Sequence, residues 1–303
     1  MSDSPSSQST PDVVAYELSL NGVTRVISDL HIGHPGSLFS EVEEIFPLLD
    51  GAERLILNGD TTEECSRVVG PRSEEMFGAF CAEAARRGVE LMRLRGNHDA
   101  SLSHIGALRL FGEKVLIMHG DACYHYGSPW SRWLPDLKVE LDAVYRTFEQ
   151  EGINTLEDKL RLAQAWARSY HPPIKSAGSK MAGIFGILKS AVWPPSVGWR
   201  LLKERALTVP RAVEFLDRFS AETQVMIFGH IHRSGVWNRG RKILINTGAF
   251  QPLAGRCACD LDEQGITVRD VVRSDGRFVL GEVKQTITWR SLGIDPLHVK
   301  GDE

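Results

Sequence analysis

Five short apolar runs in this chain end alike, with side chains able to hold a metal ion placed directly after the last apolar residue. The runs are Val23-Thr24-Arg25-Val26-Ile27, Arg54-Leu55-Ile56-Leu57, Val89-Glu90-Leu91-Met92-Arg93-Leu94, Lys114-Val115-Leu116-Ile117-Met118 and Gln224-Val225-Met226-Ile227-Phe228. All are of strand length and read as buried strands. They run out into Ser28-Asp29-Leu30-His31, Asn58-Gly59-Asp60, Arg95-Gly96-Asn97-His98-Asp99, His119-Gly120-Asp121 and Gly229-His230-Ile231-His232. Ligands of open α/β sheets bind at the C-terminal mouth of the strands, so the repeat demands a fold that gathers several strand ends at one place.

Asp29 and His31 stand two apart, as do His230 and His232. On an extended backbone such pairs point the same way, and a carboxylate with an imidazole on one face suits Mn, Fe or Zn. Gly59 lets the backbone turn sharply and thrusts Asp60 out at the rim that Asp29 shares. A histidine after a strand is usually a satisfied loop residue, and Asn-His-Asp after glycine is ordinary turn composition. Chance does not readily supply five such exits. Between the first three, Glu41–Leu49 and residues 73–87 have helical spacing, the second with Met76, Phe77, Phe80, Cys81 and Ala84 along one side. Glu63 and Glu64 are expected to start that second helix, where carboxylates suit the positive end; the alternative for Glu63 is to steady a metal ligand from behind.

Composition sets the outer limits. A chain of 303 residues, 42% hydrophobic and 24% charged, reads as a soluble globular protein of one large domain or two small ones. A net charge of −4 gives no global attraction to nucleic acid or an anionic membrane, so any such affinity must be local. The five cysteines form no C-x-x-C pair, which points to a reducing, cytoplasmic setting, with Cys257 and Cys259 as core residues of one strand. Residues 1–12 are polar and serine-rich, expected as a disordered lead-in and not a signal peptide. No run of about 18 apolar residues is present to span a membrane.

The ordered set Asp29-x-His31, Gly59-Asp60, Gly96-Asn97-His98-Asp99, His119 and Gly229-His230-x-His232 resembles the calcineurin-like metallophosphoesterase superfamily, and Lys242–Gly248 resembles its closing block. The resemblance implies two divalent metals (Mn, Fe or Zn): one held by Asp29, His31, Asp60 and His232, the other by Asp60, Asn97, His119 and His230, with Asp60 between them. It implies that His98 protonates the leaving group or stabilises phosphoryl charge, with Asp99 holding its ring. Some pyrophosphatases of the superfamily carry Arg at the place of His98. An imidazole there keeps monoesters and diesters open. His34 stands near the same rim as a substrate contact or a solvated loop residue.

About 110 residues separate His119 from His230, more than a crossover needs. Tyr124, His125 and Arg132, among clustered aromatics at the start of this insert, are candidate substrate contacts. Helices are expected at roughly 137–150, 155–170 and 199–219, the last broken near Pro210. Residues 171–211 carry Lys175, Lys180, Lys189, Arg200, Lys203, Arg205 and Arg211 against Glu204 alone. This basic, apolar composition resembles the helical cap of UDP-2,3-diacylglucosamine pyrophosphatases in the superfamily. It fits a phosphorylated small molecule, a nucleotide-sugar lipid or another lipid-linked substrate, with peripheral membrane contact through the cap. The bland alternative is helix packing with a solvated basic face.

The expected fold is an α/β four-layer αββα sandwich over residues 13–290, with a helical cap inserted at about 124–220 and an irregular tail over 291–303. The segments Arg256–Asp260, Ile266–Val272 and Phe278–Val283 read as antiparallel strands completing a second sheet. The expected activity is metal-dependent hydrolysis of a phosphoester or phosphoanhydride. The alternatives are a small phosphomonoester, nucleotide or cyclic-diester phosphatase, and a non-catalytic scaffold on the same fold.

Overall fold

The structure, a computed structural model, describes residues 12–15, 22–64, 66–129, 131, 133–169, 184–186, 189, 193 and 195–295. Two six-stranded sheets form its centre. The first contains β2 (Thr24–Ile27), β3 (Arg54–Asn58) and β4 (Glu90–Leu94), mutually parallel, with β10 (Cys257–Leu261), β11 (Gly265–Ser274) and β12 (Arg277–Thr288) continuing antiparallel beyond β2. The second contains β1 (Asp12–Ala15), β5 (Ile105–Leu110), β6 (Val115–Met118), β7 (Val225–Phe228), β9 (Lys242–Asn246) and β8 (Gly235–Arg239) in that spatial order, with β6, β7 and β9 parallel. The C-terminal strands therefore extend the first sheet instead of building a second one. The second sheet draws on β1, β5 and β8, whose short or mixed sequences carry little strand pattern.

The central strands are mostly apolar because both their faces are covered, and the buried Arg25 of β2 is paired with Asp260. Val26, Ile56, Ile117 and Ile227 meet between the sheets, together with Cys257 and Cys259. Their neighbours Ile27, Leu55 and Leu57 face outward against Val42, Ile45, Phe77 and Phe80. These last belong to a 3-10 helix (Val42–Leu49) and to α1 (Gly70–Arg86). On the far side, Leu116, Met118, Met226 and Phe228 pack against Leu160 and Ala163 of α3 (Leu156–Ser169) and against Val209, Ala212 and Phe215 of α4 (Pro195–Phe219). The result is an αββα sandwich.

The insert is thus not a lid resting on a finished domain, since its helices α3 and α4 are the fourth layer. Helix α2 (Leu134–Glu151) joins them through a smaller cluster of Leu141, Leu162 and Trp166. Helix α4 runs unbroken through Pro210, which is exposed while Val209 and Ala212 are buried. At the N-terminus, Asp12, expected in the lead-in, opens β1; the rest of that expectation, residues 1–11, lies outside the described residues. At the other end, Trp289–Leu292 forms a 3-10 helix, and Leu292 and Ile294 are buried in the inter-sheet core, so the tail is packed at least to Ile294. Residues 296–303 lie outside the described residues, as do Cys65, Arg132, Lys175 and Lys180. Among the described residues no helix is long and apolar enough to cross a membrane.

Candidate metal centre

The parallel strands of both sheets end at one place. From the first sheet come Asp29 and His31 after β2, Asp60 after β3, and Asn97 and His98 after β4; from the second come His119 after β6 and His230 and His232 after β7. Asp29, His31, Asp60 and His232 bring one ligand atom each within 4.8 Å of one another, and Asp60, His119 and His230 do the same. Asp60 belongs to both groups: its Oδ2 lies 3.9 Å from His31 Nε2 and its Oδ1 lies 3.4 Å from His119 Nε2. Asn97 joins the second group, with its Oδ1 3.1 Å from His119 Nε2.

Asp29 and His31 do not share a face through strand alternation. The strand ends at Ile27, and both residues are left-handed, at φ 54° and 48°; Asp60, His230 and His232 are left-handed too, at 49°, 72° and 53°. Non-glycine residues hold such backbone only where their surroundings over-determine it, at about 1–3 kcal/mol each. Here the β2 and β3 exits are tied together by Asp29 N–H to Gly59 O (3.1 Å), His31 N–H to Asp60 O (3.0 Å) and Ile32 N–H to Thr61 O (2.9 Å). Two glycines make room for this convergence. At Gly59 (φ 78°) a Cβ would lie 2.6 Å from the His119 ring, and at Gly229 one would lie 2.1 Å from Asp29 Oδ2.

Hydrogen bonds at one ring nitrogen turn the other inward. His31 Nδ1 donates to Glu63 Oε1 (2.8 Å), His119 Nδ1 to Asn58 O (3.1 Å) and His230 Nε2 to Gly127 O (3.0 Å). In the neutral rings His31 Nε2, His119 Nε2 and His230 Nδ1 are then lone pairs. His119 Nε2 and His230 Nδ1 face each other at 3.2 Å, and His31 Nε2 lies 3.3 Å from His232 Nε2. The approach of His119 and His230 beside buried carboxylates repels unless a positive charge lies between them, while His232 Nε2 also lies 3.2 Å from Asp29 Oδ1; this nitrogen and oxygen donor set fits a divalent cation such as Mn, Fe or Zn. Among the protein's own groups a proton fills that role: against the effect of burial, Asp60 and Asp29 push His119 up to about 10. Burial raises the Asp60 carboxyl, but His119, His98 and His31 outweigh it and hold Asp60 well below the usual carboxylate range.

Asp99 does not hold the His98 ring. Its buried carboxylate accepts backbone N–H groups from Asp60 (3.1 Å), Thr61 (2.6 Å), Thr62 (3.1 Å) and Gly96 (2.8 Å), fixing the β3 and β4 exits together. Burial and the nearby Asp60 push it up to about 7. The partner of His98 is Glu63, whose Oε2 lies 2.9 Å from His98 Nδ1 while Oε1 holds His31. Glu63 precedes α1 by seven residues instead of opening it, and is 2% exposed. Its signal in the sequence was its place three residues after Asp60. Against the effect of burial, Glu63 and Asp60 push His98 up to about 10, an effect softened by solvent because 35% of its side chain is exposed.

The remaining candidates fall in different places. His34 Nδ1 accepts Gly36 N–H at 2.9 Å, so its proton sits on Nε2, and burial foremost lowers the ring to about 4, keeping it neutral. Its ring centre lies 6.2 Å from that of His31. Tyr124 is 1% exposed with its hydroxyl turned to Thr208, so it packs behind His230 instead of offering that hydroxyl to a ligand. His125 lies in an aromatic cluster with Tyr126, Tyr145 and Trp166.

Residues 24–234 match the model of the calcineurin-like phosphoesterase family. Among solved structures the chain is similar to vacuolar protein sorting 29 from Cryptosporidium parvum, at 12% identity over 88% of this chain and 98% of that one, with a TM-score of 0.40. It is similar to the E. coli phosphoesterase Yfce at 12% identity, over 88% and 98%, with a TM-score of 0.41. Vps29 from Chaetomium thermophilum gives 13% identity over 88% and 95%, with a TM-score of 0.41. No curated protein matches the chain.

Proposed function

The chain belongs to the calcineurin-like phosphoesterase family, and from that premise we propose that it hydrolyses a phosphoester or phosphoanhydride using two divalent cations that share Asp60. The observation carrying this reading is the pair of buried ligand clusters on either side of Asp60, one with Asp29, His31 and His232 and one with His119 and His230. When bound, such cations would supply Lewis acidity and a hydroxide near neutral pH. The residues of the chain do the rest. Asp29, His31, Asp60 and His232 hold one cation; Asp60, Asn97, His119 and His230 hold the other. His98 turns Nε2 towards the site, 3.9 Å from Asp60 Oδ2, and gives its proton to the leaving oxygen, while Glu63 fixes the ring through Nδ1. His34 offers a neutral Nε2–H to a phosphoryl oxygen.

The substrate carries an apolar part beside its phosphate. Phe185, Trp193, Trp199 and Leu202 stand 67%, 64%, 69% and 63% exposed on the insert, and Lys189 and Lys203 are exposed among them. Trp199, Leu202 and Lys203 lie on one side of α4 by their spacing. Large exposed apolar groups mark binding surfaces, here one for a lipid-linked or other amphiphilic phosphate compound and for peripheral contact with a membrane surface.

The test is a panel of nucleotide-sugar lipids, nucleotides, cyclic diesters and simple monoesters, assayed with added Mn beside elemental analysis. Two cations per chain and chelator-sensitive turnover are expected, with Asp60→Ala losing both. Full activity of Asp60→Ala with two cations retained refutes the shared ligand. Trp199→Ser/Lys203→Ser weakens an amphiphilic substrate more than a small ester; equal effects remove the insert from substrate choice.

A further inference from the structure

The two halves of the metal centre are held from different parts of the fold. Around Asp29 and His31 the holders belong to the two-sheet core. Ser28 Oγ donates to Asp29 Oδ2 at 2.5 Å and is itself 2.5 Å from Thr247 Oγ1, while Glu63 fixes His31. Around Asn97, His119 and His230 the core contributes too, through Asp99 and through Asn58 O on His119, but here holders from the insert join it. The loop carrying Asn97 is pinned on both sides of that residue to α3: Arg95 Nη2 donates to Leu160 O at 3.3 Å, and Gln164 Nε2 donates to Ala100 O at 3.1 Å. Leu160 and Gln164 stand one turn apart on the buried face of α3. His230 is fixed through Nε2 by Gly127 O at the start of the insert.

Arg95 makes a second connection. Its Nη1 meets Asp121 Oδ2 at 2.9 Å, and both side chains are only 1% exposed. Arg95 lies two residues before Asn97, and Asp121 lies two residues after His119. The ion pair therefore braces against each other the two loops whose side chains Asn97 and His119 meet at 3.1 Å. Burying such a pair costs several kcal/mol per ion, and only good geometry offsets it. Here Asp121 Oδ1 and Arg95 Nε have no hydrogen-bond partner. Apolar residues would pack as well at lower cost, so the pair is better explained by position than by stability. Insert contacts also reach the other half, Arg205 Nη2 to His232 O at 3.1 Å and Arg233 Nη1 to Arg205 O at 2.8 Å, but they do not touch the ligating ring.

We propose that Arg95, Asp121 and Gln164 are positioning residues through which helix α3 sets the affinity of one cation site, that of Asn97, His119 and His230, while the site of Asp29, His31 and His232 is set by the core. This rests on the two-cation reading above. It makes the two sites unequal: the occupancy of the second depends on how the insert is seated, and that of the first does not. Asn97 makes the second site sensitive, because a neutral amide is the weakest donor of the set and depends on its loop for aim.

Calorimetric Mn titration of the full chain, with elemental analysis after dialysis, tests the proposal. Wild-type protein takes up two cations. Arg95→Met/Asp121→Leu removes both charges at similar volume, which leaves folding little affected; its second cation binds about 10–100-fold more weakly and its first as before. Gln164→Leu shows a smaller loss in the same direction and decides the matter alone if the double variant does not fold. In an Asn97→Ala background, which weakens the second site directly, Gln164→Leu has no further effect on the remaining cation. Folded variants that keep both affinities, or lose both equally, overturn the inference, as does a further loss in the Asn97→Ala background. Wild-type protein binding fewer than two cations overturns the two-cation reading and this inference with it; two in wild type and two unchanged in the variants overturn this inference alone.

Discussion

Replacing Glu63 by Gln changes one atom and separates the roles of its two partners. The native carboxylate accepts a ring N–H at each oxygen, from His31 at 2.8 Å and His98 at 2.9 Å. An amide keeps one acceptor and turns a donor towards the other ring, so one of the two imidazoles must give up its Nδ1 proton. If His31 does so, the proton moves to Nε2 and blocks the nitrogen that faces His232 3.3 Å away. If His98 does so, it loses the carboxylate that is the largest contributor raising it towards about 10. A hydrogen bond to a charged group is worth about 1.5–3 kcal/mol, and loss of such a supporting partner costs about 10–100-fold in metal affinity or activity. The assay combines Mn titration with pH–rate profiles on an alkyl and an aryl phosphate. The expected result is weaker metal binding, or an alkaline limb for the alkyl ester moved to lower pH, or both. Glu63→Gln protein with native metal affinity and a native profile on both esters would show that neither ring depends on Glu63.

Three further outcomes are expected. His98→Ala keeps its metals and slows esters with poor leaving groups far more than activated aryl esters; an equal loss on both removes His98 as the leaving-group acid. Gly59→Ala forces a Cβ to within 2.6 Å of the His119 ring at φ 78°, so it costs more than about 1 kcal/mol of stability and lowers metal content; a thermal melt and elemental analysis check both. In chelator-treated protein, His98 and His119 are each raised from 6.5 to about 10. Their contribution to stability is then full below pH 6.5 and is lost as the pH rises towards 10, and urea melts across that range should show the decline, reduced in Glu63→Gln.

The apolar runs before Asp29, Asp60, His119 and His230 were legible because strands covered on both faces leave little room for polar residues until they emerge; the run before Asn97 is instead an edge strand with Glu90 and Arg93 exposed. The same residues announced the metal chemistry, since each exit carried a donor of the right kind. Tertiary partners were not legible. Asp99 adjoins His98 in the chain while Glu63 lies 35 residues before it, and only the convergence of the β3 and β4 exits gives Asp99 to four backbone N–H groups and Glu63 to the two rings. The insert misled for a related reason: its apolar faces read as a cap because the sheet surface that α3 and α4 cover is assembled from strands far apart in sequence.

Taken alone, the order of residues determined which side chains reach the mouth of the sandwich and which family of folds can gather them, because apolar period and donor type are local properties of the chain. The folded molecule decided how those side chains are aimed. Left-handed backbone at Asp29, His31, Asp60, His230 and His232, the inward nitrogens of His31, His119 and His230, and the seating of Asn97 against α3 all depend on hydrogen bonds between residues that meet only when the two sheets close on each other.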